Sequence, residues 1–178
     1  MADTSQPTVF DYATGTQWRL AFNRLPKTTW FCTAANIPGI TLGEAMYPTP
    51  MADIPLTGDK LTFETLNITF IVDEELQNYR ELWDWLVGMG APKEWSQWLT
   101  ELKKGDSHIK TGSDTNFYSD AALIIYNSKN IPKVEVHFKD MFPTSLSALE
   151  YSQELTDVEY FKATATFRYM YYEFENSK

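Results

Sequence analysis

Three consecutive carboxylates, Asp73-Glu74-Glu75, and two histidines, His108 and His137, are the side chains here best suited to proton transfer or metal binding. Paired carboxylates can share the roles of acid and base, but these stand where a helical pattern begins. There a carboxylate accepts hydrogen bonds from free N–H groups and meets the positive end of the helix dipole, so Asp73 is expected to cap and Glu74 and Glu75 to complement the dipole. A zinc site needs three or four ligands at fitting spacing, and no third ligand accompanies the histidines, so no metal is expected. Gly88-Met89-Gly90 begins like a dinucleotide loop, yet it follows a helix and has Lys93 where a third glycine would stand. Neither a nucleophile elbow, a Walker loop nor a zincin helix occurs. Trp83, Trp85, Trp95 and Trp98 could stack on a sugar, which would make the chain a carbohydrate-binding module or a small hydrolase. Aromatic residues at helical spacing more often anchor cores or subunit interfaces. Cys32, the single cysteine, reads as a small apolar strand residue with no disulfide or CxxC motif to form. The Asn67-Ile68-Thr69 sequon falls in an inner strand. No enzyme and no cofactor are expected.

The elements that would carry these residues are mostly strands. In LTFETLNITFIV, Leu66, Ile68, Phe70 and Val72 alternate with Asn67 and Thr69, the period of a half-buried strand. At Asp73 the period changes, and Leu76, Tyr79, Trp83 and Leu86 recur at helical spacing until Gly88. Earlier, Trp18, Leu20 and Phe22 mark a first strand, joined through Asn23 to Lys27 to a second, TTWFCTAAN, as a hairpin. Pro48, Pro50 and Pro55 then predict a loop or edge strand, extended and open to neighbours. Pro92, the spacing of Trp95, Trp98, Leu99 and Leu102, and Lys103-Lys104-Gly105 predict a second short helix. AALIIY, a turn at Asn127 to Asn130, and KVEVHF predict a hairpin. Finally Phe161, Ala163, Ala165, Phe167, Tyr169 and Tyr171 share one face of a long last strand, opposite Lys162, Thr164, Thr166 and Arg168, with a bend near residue 160.

The chain has 178 residues, 43% hydrophobic, which suits a single domain over 1–178 with an arm at 1–16, an insertion at 88–118 and a tail at 175–178. Twenty-four acidic residues against 15 basic leave a net charge of −9, which argues against gripping a phosphate backbone as the main activity. It leaves open a role in which DNA passes without sticking. With no secretory signal and no apolar run long enough for a bilayer, the protein is expected to be soluble, made in a reducing cytoplasm, and without direct membrane contact.

The order of these pieces, IPGI, GDKLTFETLNITFIVDEELQNYRELWDWL, KVEVHFKDMFPTSLSALEYS and VEYFKATATFRYMYYEF, resembles the tail-tube proteins of T4-like contractile phages. The resemblance covers roughly residues 17 to 174, and its most specific parts are the strand–helix junction at 68–86 and the aromatic-Pro-Thr turn within 138–149. It implies a mainly β, α+β fold: a two-sheet antiparallel β-sandwich closing toward a barrel, with one packed helix and a second short helix in the insertion. It also implies a homo-hexameric ring that stacks on itself within the virion tail, assembled in the host cytoplasm beside sheath and baseplate proteins, around a lumen through which double-stranded DNA passes without specific binding. Type VI secretion tube proteins are similar in architecture. A baseplate ring that initiates the tube shares the domain, and the Asn78-Tyr79-Arg80 run and the long insertion fit that alternative.

Strands with a second polar face need a reason to stay soluble, and closing their edges against neighbouring copies provides one. Candidate lumen positions are Thr62, Glu64, Asn67, Thr69, Thr164 and Thr166, on a wall expected to be polar and acidic. Candidate subunit contacts are Ile40, Tyr47, Met51, Trp95 and Trp98.

Overall fold

Among the described residues, alternating apolar residues build nine strands, and a helix closes one side of the sandwich they form. The computed structural model describes residues 12, 14–90, 92, 94, 96, 117–153 and 160–176. In chain order the elements are β1 (Trp18–Phe22), α1 (Pro26–Phe31), β2 (Cys32–Ala35), β3 (Ile40–Pro48), β4 (Asp53–Phe63), β5 (Leu66–Ile71), α2 (Gln77–Gly90), β6 (Ser119–Tyr126), β7 (Pro132–Leu146), β8 (Lys162–Arg168) and β9 (Tyr171–Asn176).

β7 organises the fold because it belongs to two sheets. Its first part pairs with β6 and β9, its last with β8, giving the path β1-β6-β7-β8-β5-β2 with every pair antiparallel. The strand turns its corner at Asp140, where φ is +53°. Asp120 holds that corner: its carboxylate accepts bonds from the Asp140 N–H and from Lys139 Nζ, both at 3.1 Å. The expected aromatic-Pro-Thr turn is instead a register shift inside β7, between Pro143 and Ser145. A bulge there lets one strand bend from sheet to sheet without breaking. Between the sheets lie Leu20, Leu66, Ile68, Phe70, Leu82, Trp85, Val136, Phe138, Ala163, Ala165 and Phe167, all essentially buried.

The fold class expected from the sequence is the fold observed, and several local expectations are not. TTWF is α1, started by Pro26 in the first helical turn, so β1 pairs with the distant β6 and the first hairpin does not form. The proline-interrupted segment is a hairpin, β3–β4, standing as a separate two-stranded sheet. Each of its strands has one unpaired edge, which is why Pro48 and Pro55 are accommodated. The last strand breaks at Tyr169 and Met170 into β8 and β9, and β9 takes in Glu175 and Asn176 from the expected tail. The expected bend near 160 adjoins residues 154–159, which with the insertion's second helix and most of the N-terminal arm fall outside the described residues.

α2 begins at Gln77, so Asp73 to Glu75 form the turn before it instead of its cap, and no acidic residue lies in its first turn. Asp73 accepts the Glu74 N–H at 3.0 Å, and the Asn78 amide bridges back, taking the Asp73 N–H and donating to Ile71 O at 2.8 Å. The helix also runs past Gly88 to Gly90, and its buried stripe is Asn78, Leu82, Trp85 and Gly88, about a quarter turn from the expected one. α2 is apolar on two adjacent faces, and the sheets select the one that holds Trp85. Its indole N–H donates to Phe117 O at 2.9 Å, its ring meets Phe167 at 6.3 Å, and the Arg24 guanidinium lies 4.5 Å over it. Trp83 remains 47% exposed where Trp85 is 1% exposed. A buried Trp85 cannot join Trp83 in a stacking platform for a sugar, because the two tryptophans do not share an open face.

Candidate functional site

Side chains at 163, 165 and 167 of β8 and at 66, 68 and 70 of β5 point into the core, so the intervening residues form an outer face that is exposed or half-buried among the described residues. Register brings four predicted positions together there: Asn67 opposite Thr166 and Thr69 opposite Thr164. Thr166 Oγ1 donates to Asn67 Oδ1 at 2.9 Å, Thr144 Oγ1 to Thr166 O at 3.1 Å, and Thr33 Oγ1 to Thr69 O at 3.1 Å. The face thus carries hydroxyls and one amide, of which those of Thr33, Thr144, Thr166 and Asn67 are bonded to one another or to the backbone. Lys162 and Arg168 close it at the two ends of β8, both exposed. Thr33, Thr144, Lys162 and Arg168 were absent from the sequence-derived site. The alternation in KATATFR was the available signal for the last two, while the other two depend on long-range register.

Among the described residues both flanks of this sheet are open: β2 pairs only with β5, and the 142–146 part of β7 pairs only with β8, leaving rows of backbone donors and acceptors on each side. Such edges are templates for pairing with another strand. Cys32 sits on the β2 edge, where burial, partly offset by a backbone hydrogen bond at Ala34, pushes its thiol up to about 11.

The β3–β4 hairpin carries the other predicted surface. Ile40, Leu42, Met46, Leu56 and Leu61 are exposed along it, Tyr47 is 60% exposed, and Met51 near the tip 98%. Thr62 pairs with Thr41 on the hairpin, away from the Asn67–Thr166 ladder, and Glu64 lies in the turn after it, accepting the Gly39 N–H at 3.3 Å. Trp95 and Trp98 lie outside the described residues. A two-stranded sheet alone is marginal in water, so the hairpin depends on its feet and on whatever covers it. Two tyrosines hold the feet: Tyr169 donates to Glu64 O at 2.8 Å and Tyr172 to Pro38 O at 3.1 Å. Phe63 packs between their rings at 5.9 and 5.6 Å. Burial, with Tyr172 and Glu64 nearby, pushes the Tyr169 hydroxyl up to about 12, so it stays a donor throughout the neutral range.

Among the described residues no group of three or more His, Cys, Asp or Glu could hold a metal, and no helix is long and apolar enough to cross a membrane. What the arrangement offers is surface: a polar sheet face, two open edges and a projecting apolar hairpin.

Residues 7–175 match the model of a family described as phage tail tube protein. No curated protein matches the chain. Among solved structures, the tube-terminating cap of the anti-feeding prophage has 15% identity over 99% of this chain and 100% of its own, with a TM-score of 0.56. The sheath/tube terminator of an extracellular contractile injection system (PVC) has 10% identity over 94% and 99%, with a TM-score of 0.57. A chain of the PVC sheath-tube complex has 13% identity over 99% and 100%, with a TM-score of 0.55. At these identities the likeness is one of fold.

Proposed function

The chain belongs to the phage tail tube protein family, and from that premise we propose that it is a structural, non-enzymatic subunit of a virion tail tube. Hexameric rings of it stack around the channel through which the genome leaves. One observation carries this reading: among the described residues, the sheet of β2, β5, β8 and the end of β7 has a polar face left uncovered and two open edges on opposite flanks. Joining the β2 edge of one copy to the β7 edge of the next satisfies both rows of backbone groups and closes a ring without a free edge. Six copies then supply about 24 strands, and a spacing of about 4.8 Å with a tilt near 40° gives a backbone radius of roughly 24 Å. The bore that remains admits a duplex, and its wall is the ladder of Asn67, Thr69, Thr164 and Thr166.

In this arrangement the β3–β4 hairpin reaches a neighbouring copy, which covers Ile40, Leu42, Tyr47 and Met51. Sheath and baseplate proteins meet the ring's outer side and its end. A single ring ending the tube is the second reading, since this fold is shared as closely with a tube-terminating cap as with a chain of a sheath-tube complex. Negative-stain microscopy of concentrated purified protein separates them. A shaft subunit gives tubes of stacked rings, an end ring gives isolated six-fold rings, and a monomer at every concentration overturns both.

A further inference from the structure

On the reading that this polar face lines the channel, we propose that Lys162 and Arg168 make the wall a weak, salt-sensitive binder of the phosphate backbone in transit. The chain carries a net charge of −9, yet the outward positions of β5 and β8 hold no carboxylate: they are Asn67, Thr69, Ile71, Lys162, Thr164, Thr166 and Arg168. The acidic surplus lies elsewhere, with Glu135, Glu173 and Glu175 together on the other sheet and Glu74, Glu75, Glu81 and Asp84 in and before α2. The acidic wall expected from bulk charge is therefore absent from these strands.

The two cations are also available. Lys27 is paired with Glu81 and Lys139 with Asp120, whereas among the described residues neither Lys162 nor Arg168 makes an ion pair. Glu64 and Asp73 flank β5, and each already accepts a backbone N–H, from Gly39 and from Glu74. Six steps along the strand separate Lys162 from Arg168, roughly 20 Å, with only the hydroxyl groups of Thr164 and Thr166 between them on this face of β8. In an assembled ring the pair repeats in every copy and forms two cationic belts. An exposed cation contacts phosphate by displacing a condensed counterion, so each contact is weak, exchanges readily and is lost as salt rises. The neutral stretch between the belts has no charge to hold the polymer, which keeps the strand sliding.

The test uses assembled tubes and a labelled short DNA duplex, with retention measured by co-sedimentation between about 50 and 200 mM salt. Wild-type tubes are expected to retain the duplex at low salt and release it at high salt. Counting only one phosphate contact per belt in a single ring, K162Q/R168Q tubes should lose at least about 1.8 from the log–log salt slope, a difference of at least about 12-fold across that range. In parallel, Thr166→Cys in a Cys32→Ser background is probed in assembled tubes with a small maleimide and with one carried on a particle too wide for the bore. Labelling by the small reagent alone supports the channel reading. Labelling by both overturns that reading and the proposal with it. A protected position combined with unchanged duplex retention in K162Q/R168Q overturns the proposal only, as does retention of an acidic protein in preference to the duplex.

Discussion

Gly58→Ala tests whether the projecting hairpin is an assembly device separable from the core. A Cβ at Gly58 would stand 2.5 Å from Gly43 O, 2.6 Å from Gly43 C and 3.2 Å from Glu44 N, all backbone atoms of the facing strand. An ordinary carbon–oxygen contact needs close to 3.4 Å, so β3 and β4 must separate by almost an ångström at the register shift between Leu42 and Glu44. Overpacking of this kind costs about 1–3 kcal/mol. In the core that would be tolerated, but a two-stranded sheet has little stability of its own to offset it. Because the hairpin meets the body mainly through Phe63, Tyr169 and Tyr172, the loss should stay local. The expected result is an unchanged thermal midpoint, amide exchange raised several-fold across 40–63, and loss of ring and tube assembly by light scattering. Gly15→Ala, where a Cβ meets nothing within 4 Å, is the matched control and should behave as wild type. Wild-type exchange and assembly in Gly58→Ala would refute the reasoning.

Trp85→Ala should remove about 3–5 kcal/mol and lower the thermal midpoint by roughly 6–20 °C, whereas the half-exposed Trp83→Ala should shift it by no more than a degree or two, read by differential scanning calorimetry. With its thiol pushed up to about 11, Cys32 should react with iodoacetamide at pH 8 at least roughly tenfold more slowly than an ordinary exposed thiol, and an equal rate would show that the thiol is not buried. The bond to Asp120 raises the Lys139 ammonium above its ordinary range, so its stabilisation is fully present below the unfolded value of 10.5 and is lost as pH rises through the folded one. Asp120→Asn should therefore lower stability at neutral pH while flattening its decline in alkali, as urea titrations across pH 8–12 would report.

Much of the architecture was legible in the chain because period-2 alternation depends only on which face is buried. Leu66, Ile68 and Phe70, Val136 and Phe138, and Ala163, Ala165 and Phe167 all face the core as that alternation requires. Where two patterns competed, the sequence could not arbitrate. α2 is apolar on adjacent faces, and only the positions of Phe117, Phe167 and Arg24 select Trp85 over Trp83. TTWF is β-branched and aromatic, yet Pro26 and the bond from the Thr29 N–H to Leu25 O turn it into α1, an outcome propensity alone does not dictate. Placement of the polar face was partly legible. Asn67, Thr69, Thr164 and Thr166 converge as alternation predicts, but Thr62 falls on a separate hairpin, since the break at Glu64 and Thr65 lies within an apparently continuous strand. The charge of this face was hidden by bulk composition, which counts Glu135 and Glu173 on the far sheet equally with Lys162 on this one.

The central claim is that six copies join through β2 and the end of β7 with the threonine face turned to the axis. An electron cryomicroscopy reconstruction of the assembled protein tests it most directly. The account predicts six-fold rings in which Thr164 and Thr166 line the bore and the 142–146 edge of one copy pairs with Cys32–Ala35 of the next. A ring whose bore is lined instead by Glu135, His137 and Glu173, or one in which the β2 edge faces solvent, would contradict it.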